Sequence, residues 1–225
     1  FDQYDLISAP VVGASGRLIG MITVDDVLDV VQEEAEEDIF RLSGVQEADI
    51  YRAALQTAGG RFIWLLVNLA TAILASFVIY QFSGTIDQMV ALAVLMPIVA
   101  SMGGNAGTQT LTVAVRAIAT KDLSLSNVHR VFGKETIVGL LNGIVFAVLT
   151  GGVAAAWYAD MALGFVIGGA MVINMLVAGM FGLIIPVVLW RLRIDPATAA
   201  GVLLTTVTDV IGFLAFLGLA GLFLL

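Results

Sequence analysis

The sequence predicts an all-α polytopic membrane protein with five transmembrane helices, and two observations support this. Hydrophobic residues make up 60% of the chain and charged residues only 12%, which is typical of multi-pass membrane proteins. Five apolar stretches reach the ~20 residues that a helix needs to cross a ~30 Å hydrocarbon core. They are roughly Phe62–Phe82, Gln88–Ile118, Thr136–Tyr158, Leu163–Trp190 and Ala197–Leu225.

The residue types available exclude several kinds of protein. There is no cysteine and only one histidine, His129, so disulfides, thiol catalysis and Cys-based metal sites are excluded and a His-based site is not expected. No nucleophile–base pair or phosphate-binding loop is present, since the glycine-rich GGNAG at 103–107 is not a Walker sequence. We therefore predict that the chain is not an enzyme.

A short soluble unit, residues 1–31, precedes the apolar part. Ala9–Val12 and Leu18–Thr23 are predicted as strands around a turn at Gly13–Gly16, with a helix after Thr23, which is a favourable N-cap residue. A unit of this size cannot bury enough surface to fold well alone. Since the chain also begins without a methionine, we expect it to be the C-terminal part of a longer protein or an expressed fragment.

An acidic helical segment, residues 32–60, follows. We expect Gly44 to break this helix and Gly59–Gly60 to end it. Residues 1–60 hold twelve acids and three bases, a net charge of −9, whereas the other 165 residues hold six acids and seven bases. An acidic end beside a membrane repels nucleic acid and attracts multivalent cations. Its densest part also has the composition of a solvated helix face, and it comprises Glu33, Glu34, Glu36, Glu37 and Asp38.

The third unit, residues 61–225, contains the five spans, and its loops predict the orientation in the lipid bilayer. The loops at 119–135 and 191–195 carry Lys or Arg, whereas those at 83–87 and 159–161 carry none. The positive-inside rule then places the N-terminal part in the cytoplasm and the C-terminus outside, in a multi-pass protein of the cell membrane.

The second span has the densest group of small polar residues, in SMGGNAGTQTLTVAVR at 101–116. Pro97 and the glycines there predict a broken helix, and broken helices at membrane depth occur mainly where they face protein or a water-filled path. The hydroxyl and amide oxygens beside the break favour a lined path over a packing seam. The candidates for lining this path are Gly104, Asn105 and Thr108, together with Thr205 and Thr206 of the last span.

Other polar or small residues of the spans are expected to have packing roles. Single amides such as Asn142 and Asn174 predict interhelical hydrogen bonds, and the G-x-x-x-G spacing of Gly139 and Gly143 is a weak indication of helix contact. Glu135 beside Lys134 is expected to form an interfacial ion pair.

The last span contains an acid, Asp209. A carboxylate at membrane depth costs several kcal/mol unless it is compensated, and the flanking TTVTDVIGFLAFLGLAGLFLL offers no Lys, Arg or His. Asp195 starts the same helix, about 21 Å away along its axis and within about 40° of the same face. Two acids in line suit a cation path. Hydrogen bonds from neighbouring threonines to Asp209, and an ordinary helix start at Asp195, are the alternatives.

The types of ligand available indicate which cation would bind. Oxygen ligands without His or Cys suit hard ions such as Mg²⁺ or Ca²⁺. One mid-membrane carboxylate cannot neutralise a divalent ion, whereas two copies of Asp209 around a two-fold axis can. If the ion is divalent, the sequence predicts a homodimer with a shared pore, in which two Asp209 carboxylates hold a largely hydrated Mg²⁺.

Long motifs carry a resemblance to a known family. PIVASMGGNAGTQTLTVAVRAIA (97–119), NMLVAGMFGLIIPVVLWRLRIDPATAAG (174–201) and TTVTDVIGFLAFLGLA (205–220) resemble the MgtE family of magnesium channels across the whole membrane part. The start, APVVGASGRLIGMITVDDVLDVV (9–31), resembles the end of a cystathionine-β-synthase (CBS) domain. Residues 32–60 resemble the connecting, or plug, helix of the family.

By this resemblance, Asp209 corresponds to the acid at a central Mg²⁺ site in the pore, and Asp195 to the acid at its cytoplasmic entrance. Acids of the plug helix would bind regulatory Mg²⁺ near Asp195, and the candidates are Glu33, Glu34, Glu36 and Glu37. The implied function is uptake of Mg²⁺, with Co²⁺ and Ca²⁺ left open, down the electrochemical gradient and gated by cytoplasmic Mg²⁺. The alternatives are a proton-coupled divalent cation transporter and a non-conducting membrane sensor with a nucleotide-binding CBS end.

Overall fold

The computed structural model describes residues 1, 4–42, 53–124 and 126–224. Within these ranges, five helices (α2, α4, α5, α6 and α7) are long and apolar enough to cross a bilayer. The predicted all-α membrane fold, with a small α/β unit before the spans, is confirmed. The elements in chain order are β1 (Ser8–Val12), β2 (Leu18–Thr23), α1 (Val24–Leu42), α2 (Ala54–Gln81), α3 (Ser83–Gln88), α4 (Ala91–Ala119), α5 (Val128–Tyr158), α6 (Met161–Arg191) and α7 (Pro196–Phe223).

The N-terminal unit is an antiparallel hairpin followed directly by α1. β1 and β2 pair with Ser8 opposite Thr23, and Gly16 in the turn has a φ of +76°, which favours glycine. Both predicted strands are confirmed, the first of them one residue longer than expected. Leu18, Ile19 and Met21 of β2 are exposed, so the described residues give the hairpin little core.

Helix α1 starts at a well-formed cap. Oδ2 of Asp26 accepts hydrogen bonds from the backbone N–H of Thr23 (2.8 Å) and from its hydroxyl (2.7 Å), and these bonds hold the pKa of Asp26 below its ordinary value. The helix then runs without a break to Leu42. The expected division between residues 31 and 32 therefore falls inside one helix. Gly44, the expected helix break, lies outside the described residues.

The prediction that Gly59–Gly60 ends a helix is wrong, because both glycines lie inside α2, which starts at Ala54. A Cβ at either position would meet nothing within 4 Å, so neither glycine is required for close packing. A glycine in a helix interior costs about 1 kcal/mol relative to alanine, whereas every added helical residue makes a further backbone hydrogen bond. The penalty is too small to stop a helix that continues into a long apolar span.

The prediction of a break in the second span is also wrong, because α4 is continuous with Pro97 inside it. Its glycines have a packing role instead. A Cβ at Gly103 would lie 2.2 Å from Nδ2 of Asn174 on α6, and one at Gly107 would lie 3.0 Å from the side chain of Leu204 on α7. The missing side chains let both neighbouring helices approach α4 closely.

Helix α6 is the centre of the bundle and is buried along more than half of its apolar span, whereas α2 is almost fully exposed. Helix α6 packs against α4, α5 and α7. The contact with α5 is close enough that a Cβ at Gly139 would lie 2.7 Å from the backbone oxygen of Met175 and one at Gly143 would lie 3.1 Å from Cα of Val172. The helix contact that the G-x-x-x-G spacing predicted is confirmed.

Candidate cation site

Asp195 is the N-cap residue of α7. Its Oδ1 accepts a hydrogen bond from the backbone N–H of Ala197 (3.0 Å), and its Oδ2 accepts one from the hydroxyl of Thr198 (2.6 Å). Asp is a preferred N-cap residue, and Pro196 occupies the first helical position, where no N–H is needed. The ordinary helix-start role of Asp195 is therefore present. Its part in metal binding stays a prediction.

Asp195 also forms an ion pair with a basic residue of this chain. Nη1 of Arg41, near the end of α1, lies 3.0 Å from Oδ2 of Asp195, and Nη2 of the same guanidinium pairs with Glu37 one turn earlier on α1. Slight burial lowers the pKa of Arg41, but these two carboxylates outweigh it and raise the pKa above its ordinary value. Sequence reasoning missed Arg41, although it is the only basic residue between positions 32 and 42.

The predicted plug-helix ligands lie along the exposed surface of α1. Among the described side chains of α1, Glu37 is linked to Asp195 through Arg41, and Glu36 accepts a hydrogen bond from Gln32 (3.1 Å). Within the ranges that the structure describes, no three His, Cys, Asp or Glu side chains lie close enough together to hold a metal ion. The acids are therefore not already assembled around Asp195. The exposed members are Glu33, Glu34, Glu36 and Glu37.

Asp209 lies half-buried in the middle of α7. In the described part of the chain its carboxylate has neither a hydrogen-bond donor nor a basic side chain within 4 Å. The neighbouring hydroxyls do not compensate it, because Thr205, Thr206 and Thr208 each donate to backbone carbonyls three or four residues earlier. The alternative that threonines satisfy this acid therefore does not hold.

Two contacts relate positions on helix α4 to positions on helix α7. The side chain of Leu204 on α7 lies over Gly107, within 3.0 Å of the position its Cβ would take. Farther along, the amide of Asn174 lies between the two helices, within 2.2 Å of a Cβ at Gly103 and 2.8 Å of one at Gly212. These contacts fix which turn of α4 lies beside which turn of α7.

The two contact points give the depth of Asp209. On α7, Asp209 lies between Leu204 and Gly212. On α4, Gly104 and Asn105 lie between the glycines that make the same two contacts. The unpaired acid is therefore level with the small polar residues that the sequence predicted as path-lining.

A group of small polar residues on α4 forms one exposed face. Asn105 and Thr108 lie within about 60° of each other around the helix axis at 100° per residue, and both are exposed, as are Ser101 and Thr112. Their hydrogen bonds are local: the hydroxyl of Thr108 donates to the backbone oxygen of Gly104 (2.8 Å). Such a face is costly at membrane depth unless water or another protein surface covers it.

Asn174 links α6 to α4, as the sequence predicted. It is fully buried, and its Nδ2 donates to the backbone oxygen of Val99 (2.8 Å). Its Oδ1 has no hydrogen-bond partner in the described part of the chain.

The five apolar spans define a multi-pass membrane protein, and within the described residues it carries a mid-span carboxylate without a partner and a polar helix face at the same depth. A sequence model of the MgtE family, described as a divalent cation transporter, matches residues 96–219, which is more than half of the chain. The chain belongs to the MgtE family, which is a family of transporters and not a class of enzymes.

Curated relatives extend the similarity to the N-terminal unit. The magnesium transporter MgtE of Thermus thermophilus is 39% identical over 225 residues, 99% of this chain and 50% of that protein. The magnesium transporters MgtE of Bacillus subtilis and Enterococcus faecalis are each 35% identical over 99% of this chain. The matched part is 50% of the length of the first protein and 49% of the second. The chain therefore spans about half the length of the curated relatives it matches.

Proposed function

We propose that this chain conducts Mg²⁺ into the cell down its electrochemical gradient, through a pore shared by two copies. The observation that carries this proposal is Asp209: an acid inside a span, without a partner in the described residues, level with an exposed polar face of α4. Relatives at 35–39% identity named as magnesium transporters support the choice of ion. The oxygen-only chemistry around Asp209 supports it too, because Mg²⁺ prefers oxygen ligands and keeps several of its waters.

The homodimer follows from charge and from exposure. One Asp209 carboxylate carries half the charge of a divalent ion, so two carboxylates are needed to balance it. The polar face of α4 is uncovered in the single chain, and a second copy would cover it while leaving a wet path between the subunits. Within the described residues α2 packs on α7 and α3 and is otherwise exposed, so it leaves further surface for lipid or for the second copy.

The direction of transport follows from the membrane potential. With the N-terminal part in the cytoplasm, an inside-negative potential contributes about 2.3 kcal/mol per charge per 100 mV, and twice that for a divalent ion. The two Asp209 carboxylates hold the hydrated ion, and neutral oxygens complete the path. These oxygens come from Gly104, Asn105, Thr108, Thr205 and Thr206.

Gating by cytoplasmic Mg²⁺ is proposed at the contact between α1 and the start of α7. Bound Mg²⁺ would bridge acids of α1 to Asp195 and hold the pore closed, and the like charges would repel each other without the metal. Arg41 bears on this scheme because its guanidinium already lies on Asp195. Regulatory Mg²⁺ must therefore share this carboxylate with Arg41 or displace it.

Flux into liposomes tests the conduction proposal. Purified wild type should take up Mg²⁺ with no pH gradient, and Asp209→Asn should reduce the initial rate by roughly tenfold or more, since tenfold needs only about 1.4 kcal/mol. Asp87→Asn, which neutralises an exposed acid of α3, is the matched control and should conduct normally. Uptake that requires a pH gradient would favour proton coupling, and unchanged uptake by Asp209→Asn would reject the pore assignment.

A second flux assay tests the gating proposal. Replacing the four exposed glutamates of α1 with glutamine should raise the cytoplasmic Mg²⁺ concentration needed for closure, or abolish closure, because the metal loses its ligands on α1. The control variant Asp87→Asn should leave the Mg²⁺ concentration needed for closure unaltered. Closure at the wild-type concentration in the quadruple variant would contradict this scheme and leave the conduction proposal standing.

A further inference from the structure

A second buried carboxylate lies away from Asp209, in a cavity of about 130 Å³ between α4, α5 and α6. Glu135, in the second turn of α5, is only 8% exposed and lines this cavity. The other polar side chains in its wall are Gln109 and Thr110 of α4 and Asn142 of α5, while Gly179 of α6 contributes to the apolar part of the wall. Four oxygen-bearing side chains from two helices thus line one small space.

The carboxylate of Glu135 is incompletely bonded. Its Oε2 accepts a hydrogen bond from the hydroxyl of Thr110 (3.2 Å). Its Oε1 lies 3.7 Å from Nζ of Lys134, whose side chain is 71% exposed. A carboxylate has about four acceptor positions, and no other donor reaches this one in the parts of the chain that the structure describes. The expected ion pair with Lys134 is present, but the burial of Glu135 and its bond to α4 were not foreseen.

The neutral side chains beside Glu135 are available as ligands. Neither the amide of Gln109 nor that of Asn142 is hydrogen-bonded to another group within residues 53–124 and 126–224. Their carbonyl oxygens, the Thr110 hydroxyl and the carboxylate form an oxygen-only set, which suits a hard cation. A buried carboxylate gains from such a partner, because the exposed ammonium of Lys134 at 3.7 Å compensates its charge only in part.

The charge and position of the cavity decide which class of cation fits. The cavity lies between helices of one chain and is open on one side, where Gln109 and Asn142 are exposed, and its ligand set contains one carboxylate. This differs from Asp209, where two subunits are needed to balance a divalent ion. A single carboxylate balances a single positive charge. A cavity of about 130 Å³ has room for an ion together with water.

We propose that this cavity binds a monovalent alkali cation, with Glu135 as its charged ligand and Gln109, Thr110 and Asn142 as neutral ligands. Helices α4 and α5 otherwise touch each other little, since both pack mainly on α6. The bound cation therefore joins α4 to α5, and it steadies the helix that carries the exposed polar face. This site is separate from the proposed pore and does not depend on it.

Thermal unfolding of the purified chain in detergent tests the proposal. At constant ionic strength, choline chloride is replaced stepwise by KCl or by NaCl, and the unfolding temperature is recorded. A ligand that binds only the folded state raises this temperature in a saturable way. We expect such a rise for at least one alkali salt, and the comparison of K⁺ with Na⁺ identifies the preferred ion. Equal unfolding temperatures in choline and in both alkali salts would overturn the proposal and leave a cavity filled by water.

Variants identify the ligands in the same assay. Glu135→Gln keeps the shape and should lose the alkali-dependent rise, whereas Asp87→Asn should keep it. Lys134→Gln removes a competing positive charge and should lower the alkali concentration at half-effect. A rise that persists in Glu135→Gln rejects the site, and a Glu135-dependent rise caused by MgCl₂ instead of alkali salts rejects the monovalent assignment.

One further variant separates this proposal from the pore. Asp209→Asn should keep the alkali-dependent rise while losing Mg²⁺ flux. Loss of the rise in Asp209→Asn would place the alkali effect in the pore and overturn the cavity assignment. Normal flux in that variant, with the rise intact, would instead contradict only the pore assignment.

Discussion

The two acids of α7 differ in what the chain provides for them. Asp195 accepts bonds from the first turn of its own helix and is paired with Arg41 of α1. Asp209, fourteen residues later on about the same face, has no such partner in the described part of the chain and lies where a charge is costly. A fixed neighbour compensates the first acid, whereas the proposed pore assigns a mobile cation to the second. Under that proposal, the contrast separates an acid that organises the start of α7 from one that would meet the ion.

Neutralising Asp209 should change stability most. We expect Asp209→Asn to raise the free energy of unfolding by about 1–3 kcal/mol, because it removes a poorly compensated charge from the span. Equilibrium unfolding in detergent without Mg²⁺ measures this, with Thr206→Val as a neighbouring control near zero. A loss of stability in Asp209→Asn would mean that the carboxylate has a partner in the folded protein, and the contrast with Asp195 would fail.

The depth assigned to Asp209 can be tested through α4. Gly103→Ala places a Cβ 2.2 Å from Nδ2 of Asn174, so we expect a loss of about 1–3 kcal/mol from overpacking. Gly104→Ala is the matched control, since its Cβ meets nothing within 4 Å and alanine favours a helix. Equal stability of the two variants would show that α4 does not approach α6 and α7 at this turn.

Asp195 should behave in the opposite way to Asp209. Asp195→Ala removes the N-cap of α7 and should lower the free energy of unfolding by about 1 kcal/mol. Asp195→Asn keeps a good capping side chain and loses the charge, so it should recover most of that stability. Chemical unfolding of both variants separates capping from ion pairing. If Asp195→Asn is as unstable as Asp195→Ala, the ion pair with Arg41 contributes more to the free energy of unfolding than the capping hydrogen bonds do.

The smallest effect is expected at Arg41. Its ion pairs with Glu37 and Asp195 are partly exposed, and exposed pairs contribute about 0–1 kcal/mol. Arg41→Gln should therefore hardly change the unfolding temperature. It should nevertheless lower the Mg²⁺ concentration that closes the pore, because Asp195 no longer shares its carboxylate with a guanidinium. An unchanged closure concentration would remove Arg41 from the gating scheme.

The features predicted well are those that local sequence determines. Span length and apolarity identified five helices, and turn residues identified the hairpin, because both depend on neighbouring residues alone. The glycines of α2 and α4 were misjudged because a glycine that weakens a helix and a glycine that admits a neighbour look alike in sequence. Only the packing of Asn174 against Gly103 shows which role applies.

The site was predicted in part for the same reason. Asp209 was found because an acid without a basic neighbour is visible within one apolar run. The contact of Arg41 with Asp195 joins positions 154 residues apart, and no local pattern indicates it. Glu135 was expected to form an ion pair with Lys134 at the membrane interface. Its burial was not predicted, because it depends on how α4 and α6 pack around it.

Because α1 is one unbroken helix, a rotation at one of its ends displaces the other end. Nineteen residues at 1.5 Å each make a rod of about 28 Å, with the hairpin at one end and Arg41 close to the other. A tilt of roughly 10° about the hairpin end would carry the far end about 5 Å sideways over that length. Such a displacement exceeds the 3.0 Å between Arg41 and Asp195. A small rotation at the hairpin is thus sufficient to engage or release the first turn of α7.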